Sequence, residues 1–224
     1  MENELNTVVS ELERNVLAGI RIRSIFYEYN SNDAISIKYN ETFHAHILNQ
    51  LMSALCDSLI LNLYRCWEDG NNRDFRSFPR SAVLLSTPEN LDKIRSGRDG
   101  QVRLALIDSF LRRIDCFYRS NRHLSINISR NEGIAHSLEI ARDRARLPVY
   151  NQAKMRHFYQ TSVFNELMYK RLQLIWKNTT YVSAEFEESS RTSAKEFFDT
   201  LPSFRYSEID REYFELRRMI ERLH

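Results

Sequence analysis

Glycine and proline are scarce in this chain, five and four among 224 residues, roughly 4% together against a usual ~12%. That excludes a collagen-like repeat, a turn-dense all-β fold and low-complexity sequence, and leaves a mostly helical protein. Cysteine is scarce too: Cys56, Cys66 and Cys116 are an odd count with no CxxC pair, so neither a disulfide framework nor a cysteine zinc site is supported. No uninterrupted apolar run approaches the ~20 residues of a membrane span, and the start Met1-Glu2-Asn3-Glu4 lacks the basic and apolar regions of a signal peptide. The expectation is a cytoplasmic protein with no membrane partner. GxxxxGK[ST], a dinucleotide glycine fingerprint and HExxH are all missing, so nucleotide hydrolysis, hydride transfer and zinc peptidase chemistry have no support. His44 and His46 are two residues apart, which opposes their rings on a helix, and no carboxylate or thiol cluster accompanies them. No metal and no cofactor is expected.

What is present is helical periodicity. Leu48, Leu51, Leu55, Leu59 and Leu63 recur at steps of three and four and predict a helix over about 43–68, with Ser58, Asn62 and Arg65 as a polar line on its other side. Leu104, Ile107, Leu111 and Ile114 predict a second helix over 101–118, and Phe164, Met168, Leu172 and Ile175 a third over 152–177. An N-terminal helix from about Glu4 to Tyr27 carries Leu5, Val9, Leu12 and Val16, with 28–42 as its exit loop. The expected class is all-α, an up-and-down bundle. Gly70, Gly97, Gly100, Pro79 and Pro88 mark 70–100 as a long connection, on which Arg73, Arg76 and Arg80 are placed to meet a polyanion. Ser189 to Ser193 reads as a polar break, followed by an amphipathic C-terminal helix carrying Ile209, Tyr213, Leu216, Ile220 and Leu223. Residues 1–180 are thus the bundle domain and 181–224 a C-terminal helical extension.

Basic charge is carried by 26 arginines and only six lysines, and it is unevenly spread. Eight arginines and four acids lie between Arg112 and Arg146, whereas residues 184–224 hold ten acids against seven bases. Guanidinium forks match phosphate, so the middle of the chain points to a phosphate-bearing partner, although arginines also solvate helix faces. Within this zone, Ile128 to Ser137 places Arg130, Asn131 and His136 in seven residues. Arg-x5-His alone occurs by chance roughly 0.7 times in such a composition, and Arg218 with His224 is a second instance. Requiring Asn after the Arg lowers the chance expectation to roughly 0.05 and keeps only the copy at Arg130.

Arg-Asn-x4-His after a helix-rich half resembles the HEPN superfamily, the higher eukaryotes and prokaryotes nucleotide-binding domains. The segment Leu59 to Asp69 and the ending Ile134 to Ser137 are similar to the HEPN branch named for phage abortive infection. The resemblance covers about residues 43–178. It implies a small helical bundle, usually a homodimer, that in many members is a metal-independent endoribonuclease of phage defence or toxin–antitoxin pairs, with an antitoxin or defence-system protein as a further partner. Some members bind without cleaving, so the alternative is a non-catalytic module for RNA, a nucleotide or a protein. Where some HEPN toxins carry a tyrosine two residues after the histidine, modified by an antitoxin nucleotidyltransferase, this chain has Leu138. That mode of regulation is not implied here.

The chemistry is consistent with these residue types whatever the name. RNA carries its own nucleophile, the 2′-hydroxyl beside each phosphate. The protein then needs a group of near-neutral pKa to move a proton and a fixed cation to hold the charging oxygens. His136 suits the first task and Arg130 the second, while Asn131 donates a neutral hydrogen bond; Arg65, Arg119 and Arg122 are the candidate RNA-binding residues. Glu132, four residues before His136, is either an imidazole partner or an ordinary surface pair. On an unbroken α-helix, Arg130 and His136 stand about 120° apart. Either Gly133 breaks or ends the helix between them, or a two-fold axis brings each beside those of a second chain; the second is favoured.

Overall fold

Leu5, Val8, Val9, Leu12, Val16 and Ile20 recur at helical steps, and in the computed structural model all six are buried along helix α1 (Glu4–Ser31). The structure describes residues 4–31, 43–72, 74–134, 155–181 and 183–200, without the side chains of 43–46, 132–134 and 155. Among the described residues every element is helical: α1, then α2 (Phe43–Arg65), α3 (Phe78–Leu85), α4 (Pro88–Ser96), α5 (Gly100–Tyr118), α6 (Asn121–Ile128), a π-helical turn (Ser129–Ile134), α7 (Met155–Lys177) and α8 (Ala184–Thr200). The all-α class is therefore observed. Helix α1 is central and touches α2, α3, α7 and α8, while α5 and α6 pack on α7 from another side.

Four expectations are corrected. Helix α1 runs one turn past Tyr27, because Asn30 Nδ2 donates to the Phe26 carbonyl at 2.8 Å and Ser31 Oγ to that of Tyr27 at 2.7 Å. In α2, Leu51 is 41% exposed, and Met52, one position along, takes its place in the buried line with Leu48, Leu59 and Leu63. The stretch 70–100 is ordered by two short helices, one of the readings open for so long a connection, but it is also core structure: Phe78, Leu85 and Ile94 are fully buried. Its prolines begin helices, at the first turn of α3 and of α4, where a missing N–H is no loss. Ser77 Oγ caps α3 by accepting from the Arg80 N–H at 3.2 Å. Gly70 and Gly100 are there because backbone passes too close for a side chain: a Cβ would stand 2.4 Å from the Pro79 carbonyl carbon and 2.4 Å from the Arg95 oxygen, respectively.

The break expected at Ser189–Ser193 is likewise helix, inside α8. Ser190 Oγ bonds back to the Phe186 carbonyl at 2.7 Å and Arg191 pairs with Glu187 at 2.9 Å, so the polar residues support the turn they were expected to end. Ala194 and Phe198 bury against α1, with the Phe198 ring 6.0 Å from that of Tyr29. At the seam of α1, α7 and α8, buried Arg23 holds Glu166 at 3.0 Å and Glu187 at 2.9 Å through Nη2. Buried Arg103 closes the other end of α7, donating to the carbonyls of Ile175 at 2.9 Å and Trp176 at 2.8 Å, a cation on a helix C-terminus. The amphipathic segment 207–224 lies outside the described residues.

Candidate functional site

Trp67 follows the last turn of α2 and gathers the far ends of three helices. Its ring stacks 3.9 Å from Phe117 of α5 and 5.8 Å from Phe164 of α7, and its indole N–H donates to Asn165 Oδ1 at 2.8 Å. The Tyr118 hydroxyl donates to the Trp67 carbonyl at 3.0 Å, tying the end of α5 to the end of α2. Burial, helped by Asp69 and Tyr64, pushes the Tyr118 phenol up to about 12, so it stays a donor across the neutral range.

Of the three candidate RNA-binding arginines, Arg122 contacts the rings of this hub, and Arg65 and Arg119 flank it along the chain. Arg65 is exposed at the end of α2, two residues before Trp67; Arg119 is exposed immediately after Tyr118. The Arg122 guanidinium stands 5.1 Å from the Phe164 ring and 5.8 Å from that of Phe117. Helix α6 starts between them, capped by Ser120 Oγ on the His123 N–H at 3.3 Å. The arginines of the connection do not join them: Arg80 is buried, paired with Glu4 at 2.6 Å and donating to the Gly70 carbonyl at 3.3 Å, while Arg76 is half-buried. Arg73 lies outside the described residues.

From α6 the chain passes without interruption into the π turn that carries Arg130 and Asn131, and this turn packs on α2. Gly133 lies inside the widened turn. The ~120° separation calculated for an α-helix therefore does not apply over Ser129–Ile134, and π turns of this kind concentrate at functional sites. Arg130 is exposed, its guanidinium 4.6 Å from the centre of the Tyr64 ring, and its Nη1 donates to Asn131 Oδ1 at 2.9 Å. Asn131 is exposed beside it. Glu68 sits in the same field: burial raises its carboxyl pKa, and the charges of Arg65 and Arg130 pull it back part of the way. The site thus brings Arg130, Asn131 and Arg65 together through Tyr64 and Glu68. His136 and the Glu132 side chain lie outside the described residues, as do the side chains of His44 and His46.

Sequence reasoning missed Tyr64 and Glu68, although both stand in the segment Leu59 to Asp69 that carried part of the resemblance. It also missed two histidines. The His123 ring packs edge-on against Tyr118 at 4.6 Å, and burial lowers its pKa against the pull of a hydrogen bond to the Tyr118 backbone. The His157 Nδ1 lies 2.7 Å from Ser125 Oγ, which itself donates to the Asn121 carbonyl at 2.8 Å, so the ring nitrogen is the donor to the hydroxyl. Tyr169 and Phe158 are buried packing residues. No group of three His, Cys, Asp or Glu side chains fit to hold a metal occurs among the described residues, and no helix among them is long and apolar enough to cross a membrane.

No protein-family model matches the chain, and neither a curated protein nor a solved structure matches it.

Proposed function

We propose that this chain is a metal-independent endoribonuclease of HEPN type, acting as a homodimer in phage defence or as a toxin. The observation that carries the reading is Arg130: an exposed cation on a π turn, oriented by the Tyr64 ring and Asn131, at the end of the bundle where Arg65, Arg119 and Arg122 collect. Such a guanidinium keeps donors for a phosphate while its orientation is already fixed. RNA lies along the arginine-lined end. The 2′-oxygen attacks the adjacent phosphorus as His136 takes its proton, Arg130 and Asn131 hold the oxygens as charge builds, and the P–O5′ bond breaks. The departing 5′-oxygen takes the proton back from His136, leaving a 2′,3′-cyclic phosphate and a 5′-hydroxyl. A second copy of the chain supplies the facing Arg130, Asn131 and His136. Exposed apolar side chains on the two helices flanking the motif, Leu124 (55% exposed) on α6 and Leu167 (52%) on α7, support association there.

The test is RNA incubated with the protein in EDTA. Cleavage leaving 2′,3′-cyclic ends is expected, reduced about 10²–10³-fold by Arg130→Ala, in the range found for removing one charge-stabilising donor, and abolished by His136→Ala. Leu167→Arg is expected to give a monomer that binds RNA and does not cut it. Binding without cleavage by the unaltered protein, insensitive to His136→Ala, would leave a non-catalytic RNA-binding module instead.

A further inference from the structure

A cleft of about 340 Å³ opens where the last turn of α1 meets the first turns of α7, lined by Phe26, Tyr27, Asn30, Ser31, Arg156 and Tyr159. That volume is in the lower part of the range of small-molecule sites. Both tyrosine rings are pinned by a cation: the Arg191 guanidinium is 4.2 Å from the Tyr27 ring centre, and that of Arg23 is 5.7 Å from the Tyr159 ring. Rings held in this way form a stacking platform that loses little freedom when a flat ligand arrives. Asn30 spends its amide N–H on the Phe26 carbonyl at 2.8 Å, which leaves its side-chain oxygen as an acceptor.

The charge of the cleft is unbalanced. Glu166 answers Arg23 and Lys170, and Glu187 answers Arg23 and Arg191. Arg156 is exposed at the cleft with no partner among the described residues. Behind the Tyr159 ring, Arg23 is 2% exposed, and among the described residues its Nε and Nη1 have no hydrogen-bond partner.

We propose that this cleft binds a small planar aromatic molecule carrying an oxyanion, its ring between Tyr27 and Tyr159 and its anion on the Arg156 fork. A nucleoside monophosphate and an aromatic carboxylate share that chemistry; the Asn30 oxygen, which accepts from an amino group on the ring, selects the first. The cleft uses none of the residues of the Arg130 face, and its occupancy is independent of RNA cleavage.

The experiment is calorimetric titration of the full chain with adenosine 5′-monophosphate and with phenylpyruvate, alongside adenosine and inorganic phosphate as the two halves. At least one aromatic anion is expected to saturate with Kd below about 1 mM, each half binding at least about tenfold more weakly. Arg156→Ala, an exposed change that leaves the melting curve in place, is expected to weaken binding about tenfold or more, and Arg156→Lys less, because a point charge replaces a fork. Arg130→Ala is expected to change nothing. Preference for the nucleotide assigns the ligand to that source, and preference for phenylpyruvate to an aromatic acid. The proposal is overturned if neither saturates, if phosphate alone binds as well, or if Arg156→Ala binds like the unaltered protein.

Discussion

An exposed arginine samples many rotamers, and the Tyr64 ring removes most of them for Arg130. Cation–π contact at an exposed site is worth ~0.5–1 kcal/mol, so Tyr64→Leu is expected to lower RNA affinity or cleavage about two- to fivefold, and Tyr64→Phe to stay within about twofold, in the same assay. Buried charge sets the larger effects. Burial would raise the Glu166 pKa, yet hydrogen bonds from Ser183, Lys170 and Arg23, with the Arg23 charge, hold it below 4.5. A depressed carboxylate stabilises the fold above the unfolded value and loses that contribution as pH falls through its folded value. Glu166→Gln is expected to cost about 3 kcal/mol at pH 7. In denaturant melts, the gap to the unaltered protein should stay constant above pH 4.5 and close below it. His123 works in the same sense: the protein loses stability as pH falls below 6.5, because burial disfavours the charged ring. Arg130 and Asn131 were singled out because Asn after Arg at that distance from a histidine is rare by chance, although arginine itself is common in this chain. Tyr64 was not, since its role is a contact across 66 residues of chain, and local spacing carries no trace of such a contact.

Helices with an apolar stripe were read directly from periodicity, and α1, α2, α5 and α7 follow it. The misread elements share one physical cause: residues usually found at helix ends were working inside or at the start of helices. Pro79 and Pro88 open α3 and α4, and Ser190 of α8 bonds to its own preceding turn. Gly70 marks the close approach of the chain after α2 to the first turn of α3, not a flexible link. Gly70→Ala puts a Cβ 2.4 Å from backbone that cannot yield as a side-chain tip does. A loss of ~1–3 kcal/mol is expected, read as a drop in Tm of about 2–4 °C per kcal/mol for a chain of this size.

Across the molecule, α8 packs on the central helix rather than standing apart from it, with Phe198 2% exposed and Glu187 paired to Arg23. Phe198→Ala is expected to lower the midpoint of one cooperative transition by the equivalent of ~3–5 kcal/mol; an early, separate transition with the main one unmoved would make α8 an independent unit. The Trp67 hub has the same integrating role at the other end, where it ties α2, α5 and α7 into the base beneath the arginines. The π turn between α6 and the segment that follows has a different kind of consequence. A turn closing i→i+5 contains one residue more than an α turn needs. Removing a single residue from 129–134 would let it rewind as an ordinary helical turn, and the register that sets Arg130 against the Tyr64 ring would be lost with it.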